Sequence, residues 1–213
     1  MNTGLEELLA GVPVIPVLVV EDAGDAVRLA AALAVGGLPV IEVTLRTPAA
    51  QDAIAAIRAA LPRVLVGAGT VLNPDDARRA VDAGARFAVS PGYSRALGAA
   101  CAERRLPLLP GAATASEVMA LVNDGYALVK FFPAVAAGGV GMLRALAGPF
   151  PGVRFCPTGG VGARNAAAYL AEPNVACVGG SWVAPAEAVR RRDWETIEGL
   201  AREAAALRKS GPY

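Results

Sequence analysis

One lysine stands out among the residues of this sequence that can do covalent chemistry. The chain has 20 basic residues, of which only Lys130 and Lys209 are lysines. Lys209 lies in a polar tail, whereas Lys130 follows the apolar residues Leu128 and Val129, where a buried strand is expected to end. Burial disfavours the charged form of an amine, and a neutral amine attacks carbonyl carbons to form a Schiff base. Lys130 is therefore a candidate nucleophile. The alternative is a strand-end lysine that extends to solvent or pairs with a carboxylate.

Glu42 is a second charged residue in an apolar stretch, since it lies between Ile41 and Val43. A carboxylate in such a place can transfer protons as a general acid or base. The alternative is a structural ion pair of Glu42 with Arg46 or Lys130. Arg46 together with Thr70 can hold a substrate carboxylate, because a guanidinium binds both carboxylate oxygens at once.

A regular succession of strands and helices is expected to position these residues. A first helix carries Leu5, Leu8 and Leu9. Eight strands are predicted. The first five are 14–20, 40–43, 64–68, 87–89 and 106–109, the sixth is the segment that ends at Lys130, and the last two are 153–156 and 175–178. Helices are predicted over 24–35, from Thr47-Pro48 to about 61, from Pro74 to Gly84, over 94–105, from Ala115, over 139–147 and 163–170, and to about 208 after the last strand.

Eight apolar strands that each precede a helix predict an α/β fold. Strands buried on both faces are apolar throughout, as these are. The sequence therefore predicts one (β/α)8 TIM barrel over residues 1–213, with an extra N-terminal helix. Pro16 within the first strand suggests an edge or a distortion there. A doubly wound open sheet is the alternative, but no glycine-rich turn follows the first strand.

Composition excludes several classes of function. Histidine is absent and the formal net charge is +1, so Ser-His-Asp triads are excluded and a nucleic-acid partner is not expected. No apolar run approaches the roughly 18 residues of a membrane span, and the N-terminus lacks the basic start of a signal peptide. Cys101, Cys156 and Cys177 are interpreted as reduced thiols, the last two as core residues. We expect a cytoplasmic protein without metal or cofactor.

The strand ends contain glycines and small polar residues where a barrel carries its chemistry. Most of these glycines are interpreted as loop formers. Two groups of these residues indicate a binding role as well. They are Gly159-Gly160 and Gly179-Gly180-Ser181, which follow the seventh and eighth strands. Barrels commonly bind phosphate there through backbone N–H groups and a helix N-terminus. The sequence thus predicts a phosphate site. Pro91, after the fourth strand, is a further candidate for substrate binding.

Five stretches of the sequence resemble the bacterial 2-keto-3-deoxy-6-phosphogluconate and 4-hydroxy-2-oxoglutarate aldolases. They are residues 42–47 (EVTLRT), 66–71 (VGAGTV), 130–134 (KFFPA), 155–160 (FCPTGG) and 179–182 (GGSW). The spacing matches from about Pro13 to Ala206. The resemblance implies a class I, Schiff-base aldolase on a (β/α)8 barrel, usually a homotrimer, with no metal.

The resemblance also implies a role for each candidate residue. Lys130 forms the Schiff base and Glu42 transfers protons. Arg46 and Thr70 hold the pyruvyl carboxylate, and Phe132 packs on the pyruvyl group. Thr158 contacts the hydroxylated part of the substrate, and the phosphate is bound by Gly159, Gly160, Gly180 and Ser181.

The implied reaction is cleavage of 2-keto-3-deoxy-6-phosphogluconate to pyruvate and glyceraldehyde 3-phosphate. Cleavage of 4-hydroxy-2-oxoglutarate to pyruvate and glyoxylate is a second implied activity. The alternatives are a 2-keto-3-deoxy-6-phosphogalactonate aldolase, a phosphate-binding barrel with isomerase or decarboxylase chemistry, and a non-catalytic sugar-phosphate sensor. Formation of an imine distinguishes the aldolases from the last two.

Overall fold

The computed structural model describes Leu5 and residues 8–207, and its strands run parallel. In chain order they are β1 (Val14–Leu18), β2 (Val40–Thr44), β3 (Leu65–Gly69), β4 (Ala88–Val89), β5 (Leu108–Leu109), β6 (Gly111–Ala112), β7 (Leu128–Phe131), β8 (Arg154–Pro157) and β9 (Val178–Gly180). Each predicted strand has a counterpart. The predicted fifth strand continues past Pro110 as the two short strands β5 and β6.

The strands close into a barrel with eight positions. One sheet has the order β5-β4-β3-β2-β1-β9, and a second has the order β6-β7-β8. Parallel bridges between Thr158 and Gly179 and between Phe155 and Val175 join β8 to β9. Since β5 and β6 flank Pro110 in one extended segment, the ring is continuous. The predicted (β/α)8 barrel is confirmed, and the open sheet is excluded.

Pro16 lies in a strand that is paired on both sides, so of the two expectations, an edge position or a distortion, the edge position is excluded. On one side, Val14, Ile15 and Pro16 are aligned with β9. On the other side, the alignment with β2 begins only at Val17. The ladder to β2 therefore does not require the N–H group that proline lacks.

The helices cover the outside of the barrel. In chain order they are α1 (Ala23–Val35), α2 (Ala50–Ala60), α3 (Pro74–Asp82), α4 (Arg95–Glu103), α5 (Ala115–Asn123), α6 (Gly139–Ala147), α7 (Ala166–Leu170), α8 (Ala186–Arg190) and α9 (Trp194–Ala205). The C-terminal helical segment is thus two helices, separated by residues 191–193. Within the described residues, no helix is long and apolar enough to cross a membrane.

Side chains cap the N-termini of α1, α3, α4, α5 and α9 but not those of α2, α6, α7 and α8. The Asp22 carboxylate accepts the Gly24 N–H at 2.8 Å, and Asn73 caps α3 ahead of Pro74. A helix was expected to start at Thr47-Pro48, but α2 begins at Ala50 without a side-chain cap. The Thr47 hydroxyl instead donates a hydrogen bond to the Val20 carbonyl.

The N-terminal segment packs against residues inside the barrel. Leu5 and Leu8 have helical backbone, and the Leu9 N–H donates to the Leu5 carbonyl at 3.0 Å, which is the expected first helix. Glu6 and Glu7 lie outside the described residues. Leu5 and Leu9 belong to an inner apolar cluster, whose other members are Ile15, Val40, Phe87, Val89, Leu109, Leu128, Cys156 and Cys177. The first helix therefore supplies part of the barrel core.

All three cysteines are core residues, as was expected for Cys156 and Cys177. Cys156 and Cys177 lie in the inner cluster, and Cys101 is buried between the barrel and its helices. None of the three forms a disulfide. Burial raises the pKa of the Cys101 thiol to about 11, although Arg104 opposes the shift. A thiol with such a pKa is unreactive at neutral pH.

A buried carboxylate ties α6 to the segment after α7. Glu172 is buried, and its two oxygens accept hydrogen bonds from Arg144 at 2.7 to 3.0 Å. These bonds favour the charged carboxylate and hold the pKa of Glu172 below its usual value, although burial opposes the shift. The contribution of this pair to stability should therefore depend on pH.

We expect Arg144→Met to lower the free energy of unfolding at neutral pH. The folded-state pKa of Glu172 is depressed, so the pair stabilises the fold above the usual glutamate pKa of about 4.3. This contribution is lost as the pH falls through the folded-state pKa. Urea denaturation across the acid range should show the difference between wild type and variant shrinking. Arg78→Met, which removes exposed ion pairs, is the control and should change stability little. A difference that does not vary with pH would contradict this role.

Candidate active site

The inside of the barrel changes from apolar to polar along three strands. Side chains two residues apart point to the same side of a strand. Val40 is followed by Glu42, Leu128 by Lys130 and Cys156 by Thr158, and the second member of each pair is buried and polar. The apolar members belong to the inner cluster. The polar members lie nearer the C-terminal strand ends, where barrels carry their active sites.

Lys130 and Glu42 meet inside the barrel. Strands β2 and β7 lie four positions apart in the ring of eight, on opposite sides of the barrel. Lys130 Nζ lies 3.4 Å from Glu42 Oε1, and their side chains are only 6% and 4% exposed. Nζ also lies 5.5 Å from the centroid of the Phe132 ring, within the range of a cation–π contact. This pair can supply an amine and a proton acceptor side by side.

The segment from Thr44 to Thr47, which contains Arg46, is held on both sides. The Thr44 hydroxyl donates to the Leu18 carbonyl at 2.9 Å, and Thr47 donates to Val20. On the other side, the Leu45 N–H donates to the Gly69 carbonyl at 2.8 Å. The backbone around Arg46 is therefore fixed to β1 and β3.

The Arg46 side chain itself is exposed and, within the described part of the chain, forms no hydrogen bond or ion pair. Glu42 therefore pairs with Lys130 and not with Arg46. The guanidinium of Arg46 is available for an anionic ligand. Neither Arg46 nor Pro91 is joined to the Lys130–Glu42 pair by a hydrogen bond or ion pair among the residues that the structure describes.

Thr70 follows β3 with an unusual backbone. Its φ of 57° lies in the left-handed region, which is a genuine outlier for a β-branched residue and costs about 1–3 kcal/mol. Such outliers cluster at ligand sites, where the surrounding structure maintains them. The half-buried Thr70 is thus held at the end of β3 in a conformation that a free strand would avoid.

The loops after β8 and β9 present free backbone donors. The N–H groups of Gly159, Gly160, Ser181 and Trp182 make no hydrogen bond to any part of the protein that the structure describes. Gly159 and Gly160 have φ values of 97° and 78°, a region that favours glycine. An exposed Ser181 adds a hydroxyl. These donors have the character of an anion site.

Helix α7 has five residues, and α8 is equally short. The expected contribution of a full helix N-terminus to this anion site is therefore not available. The binding capacity of the two loops lies in their own N–H groups and in the Ser181 hydroxyl.

Thr158 lies beside these loops at the end of β8. Its side chain is buried, and its hydroxyl donates to the Cys156 carbonyl at 3.3 Å. A Cβ on Gly179 would lie 2.3 Å from the Thr158 hydroxyl oxygen. Thr158 thus occupies space that Gly179 leaves open.

The interpretation of most strand-end glycines as loop formers was incomplete. Gly67, Gly69, Gly111 and Gly179 lack a left-handed φ, so they do not serve turn geometry. Instead, their missing side chains leave room for neighbouring groups. At Gly111, for example, a Cβ would lie 2.2 Å from the Pro91 carbonyl oxygen. A glycine inside a strand pattern is the sequence signal for such a close approach.

Comparison with known proteins identifies the family of this chain. The profile of the aldolase family described as KDPG and KHG aldolase matches residues 5–200. The chain belongs to this family. It is 50% identical over 203 residues to the KHG/KDPG aldolase of Escherichia coli strain K12, covering 95% of each chain. Membership of this family makes the protein an aldolase and hence a lyase.

Solved structures of this family match the barrel closely. The KDPG aldolase of Legionella pneumophila, solved with pyruvate captured at low pH as a covalent carbinolamine intermediate, has a TM-score of 0.92 and 48% identity over 96% of this chain and 99% of its own. The 2-keto-3-deoxy-6-phosphogluconate aldolase of Zymomonas mobilis ZM4, solved with 3-phosphoglycerate, has a TM-score of 0.93 and 45% identity over 99% of each chain.

Proposed function

We propose that this aldolase cleaves 2-keto-3-deoxy-6-phosphogluconate to pyruvate and glyceraldehyde 3-phosphate through a Schiff base on Lys130. The observation that carries the proposal is the buried contact of Lys130 with Glu42. The carbinolamine formed by pyruvate in the Legionella aldolase supports imine chemistry in the same barrel. The Escherichia coli relative carries both substrate names, so we also propose cleavage of 4-hydroxy-2-oxoglutarate to pyruvate and glyoxylate.

The proposed reaction begins at the amine. Lys130 must be neutral to attack, and the adjacent Glu42 carboxylate can accept its proton. The amine adds to the C2 ketone to give a carbinolamine, whose hydroxyl leaves as water with the proton that Glu42 took from Lys130. This leaves an iminium on Lys130 and returns Glu42 to its carboxylate form. Glu42, directly or through one water, then takes the proton of the C4 hydroxyl. The C3–C4 bond breaks, C4 leaves as the aldehyde of glyceraldehyde 3-phosphate, and the electrons of the bond enter the iminium to give an enamine. Protonation of the enamine at C3 and hydrolysis release pyruvate.

The other candidate residues would bind the substrate around this pair. We propose that Arg46 and Thr70 hold the pyruvyl carboxylate, that Phe132 packs on the pyruvyl group and that Pro91 lines the pocket. Thr158 would contact the substrate hydroxyls. The free N–H groups at Gly159 and Gly160, together with Gly180 and Ser181, would bind the phosphate.

We further propose a single aldolase domain over residues 1–213, a homotrimer and a cytoplasmic location. The trimer follows from the resemblance of the sequence motifs to the bacterial aldolases, and light scattering on the purified protein measures it. Three buried cysteines without a disulfide are compatible with a reducing compartment.

Borohydride reduction in the presence of pyruvate should attach a stable adduct to the peptide that contains Lys130. Lys130→Arg should lose both the adduct and cleavage, because arginine stays protonated and cannot attack the ketone. Mass spectrometry of the digested protein identifies the modified residue. The mechanism would be contradicted by modification of Lys209, which lies outside the described residues, or by the absence of any adduct. The isomerase, decarboxylase or sensor alternatives would then be favoured.

Glu42→Gln keeps the shape of the side chain and removes its ability to exchange a proton. We expect turnover to fall by about 10²–10⁴-fold, while borohydride trapping on Lys130 remains detectable. Glu195→Gln on the exposed face of α9 is the matched control and should retain full activity. If Glu42→Gln turns over at the wild-type rate, Glu42 serves only as an ion-pair partner.

The loops after β8 and β9 should distinguish the phosphorylated substrate from the unphosphorylated one. Ser181→Ala removes a donor to a charged group at a cost of about 1–3 kcal/mol, so kcat/KM for 2-keto-3-deoxy-6-phosphogluconate should fall by about 5- to 150-fold. The kcat/KM for 4-hydroxy-2-oxoglutarate should change little. A Gly160→Ala variant should show the same selectivity, whereas the exposed Ser116→Ala is the control. Equal losses on both substrates would mean that these loops shape the entrance and do not bind phosphate.

A further inference from the structure

The inward side of β3 carries no side chain at two successive positions. Val66 and Ala68 point outward into the outer core, so the inward positions of this strand are Gly67 and Gly69. Neither glycine has a left-handed backbone, and an ordinary residue could adopt the same φ. The absence of side chains on this face must therefore have another reason.

Both spaces are filled by side chains from neighbouring strands. A Cβ on Gly67 would lie 2.4 Å from two atoms of the Phe87 ring. A Cβ on Gly69 would lie 2.1 Å from Glu42 Oε1, 2.5 Å from its Cγ and 2.7 Å from its Cδ. Glu42 therefore lies across Gly69, in space that the Cβ of any other residue would occupy.

From this packing we infer that Gly69 is a positioning residue, which sets the Glu42 carboxylate against Lys130. The carboxylate lies over the backbone of Gly69, with Oε1 3.4 Å from Lys130 Nζ. A methyl group at position 69 must displace it. The inference goes beyond the proposed roles of Lys130 and Glu42 and rests on them for its catalytic consequence.

The backbone role of Gly69 does not require glycine. Its carbonyl accepts the Leu45 N–H, and it is aligned with Thr44 in the β2–β3 ladder. Alanine can maintain both interactions, so Gly69→Ala should leave the barrel closed. The expected consequence is local: a displacement of an ångström or so in a catalytic group can cost about 10²-fold in rate.

Gly69→Ala should retain borohydride trapping of pyruvate on Lys130 but lose about 10²-fold in proton transfer. Exchange of the pyruvate methyl protons with solvent deuterium measures that step directly, because it requires the imine and a proton acceptor but no aldehyde. Gly67→Ala is the matched control on the same strand face. Its methyl group meets Phe87 instead of Glu42, so it should reduce stability and leave exchange by the folded protein near the wild-type rate. Wild-type exchange in Gly69→Ala would overturn the inference.

A double-mutant cycle separates this inference from the proposed function. If Gly69 acts through Glu42, Gly69→Ala should cost little in a Glu42→Gln background. Independent losses that multiply would overturn the positioning role. Should Glu42→Gln alone prove fully active, the proposed role of Glu42 fails. A crystal structure of Gly69→Ala then decides the positioning by itself, because retention of the contact between Oε1 and Nζ would overturn it.

If the Gly69→Ala variant fails to fold, a further variant still tests the inference. The nearest atoms to the added methyl group all belong to Glu42, so combining Gly69→Ala with Glu42→Ala should restore folding. If the combined variant also fails to fold while Glu42→Ala alone folds, position 69 requires glycine for another reason and the inference is wrong.

Discussion

The buried contact between Lys130 and Glu42 is the constraint on which the site depends. Removing two charges from water is costly, and apolar residues in place of a buried ion pair are often neutral or stabilising. The surrounding barrel already has an apolar inner cluster directly below the pair. The fold therefore has no need of these two charges, and chemistry is the better explanation for them. Because the strands lie opposite each other, both partners must be long side chains to meet at 3.4 Å.

The ends of different strands present different kinds of chemical group. The groups proposed to react are side chains on β2 and β7, whereas the loops after β8 and β9 present mainly backbone N–H groups. Backbone donors carry no charge and lose little conformational freedom on binding. They therefore suit a substrate group that is bound but does not react. The left-handed conformations of Gly159 and Gly160 turn the chain at the point where those donors become free. The single lysine of the described residues is therefore not needed for anion binding and is left for the covalent step that we propose.

Much of this arrangement could be predicted because it depends on short-range patterns. Alternation along one strand places Lys130 two residues after Leu128, and the eight repeated strand–helix units predict the barrel that gathers the strand ends. Long-range packing could not be predicted in the same way. The space at Gly69 is explained only by the side chain of Glu42, which comes from another strand at a register that the sequence does not reveal. The start of α2 was placed too early for a related reason, since the Thr47 hydroxyl donates to the carbonyl of Val20, a residue after β1 that is distant in the sequence.

The same packing relation recurs around the site. Glu42 on β2 lies over Gly69 on β3, Thr158 after β8 lies against Gly179 on β9, and the Phe132 ring after β7 lies 3.2 Å from where a Cβ of Gly159 would be. In each case a side chain with a proposed role in the site lies toward the next segment of the barrel, close to where the Cβ of any residue other than glycine would be. A side chain held in this way has few alternative rotamers, which preorganises the site without further hydrogen bonds. The glycines of the strand ends are thus part of the active site as much as the side chains that they accommodate.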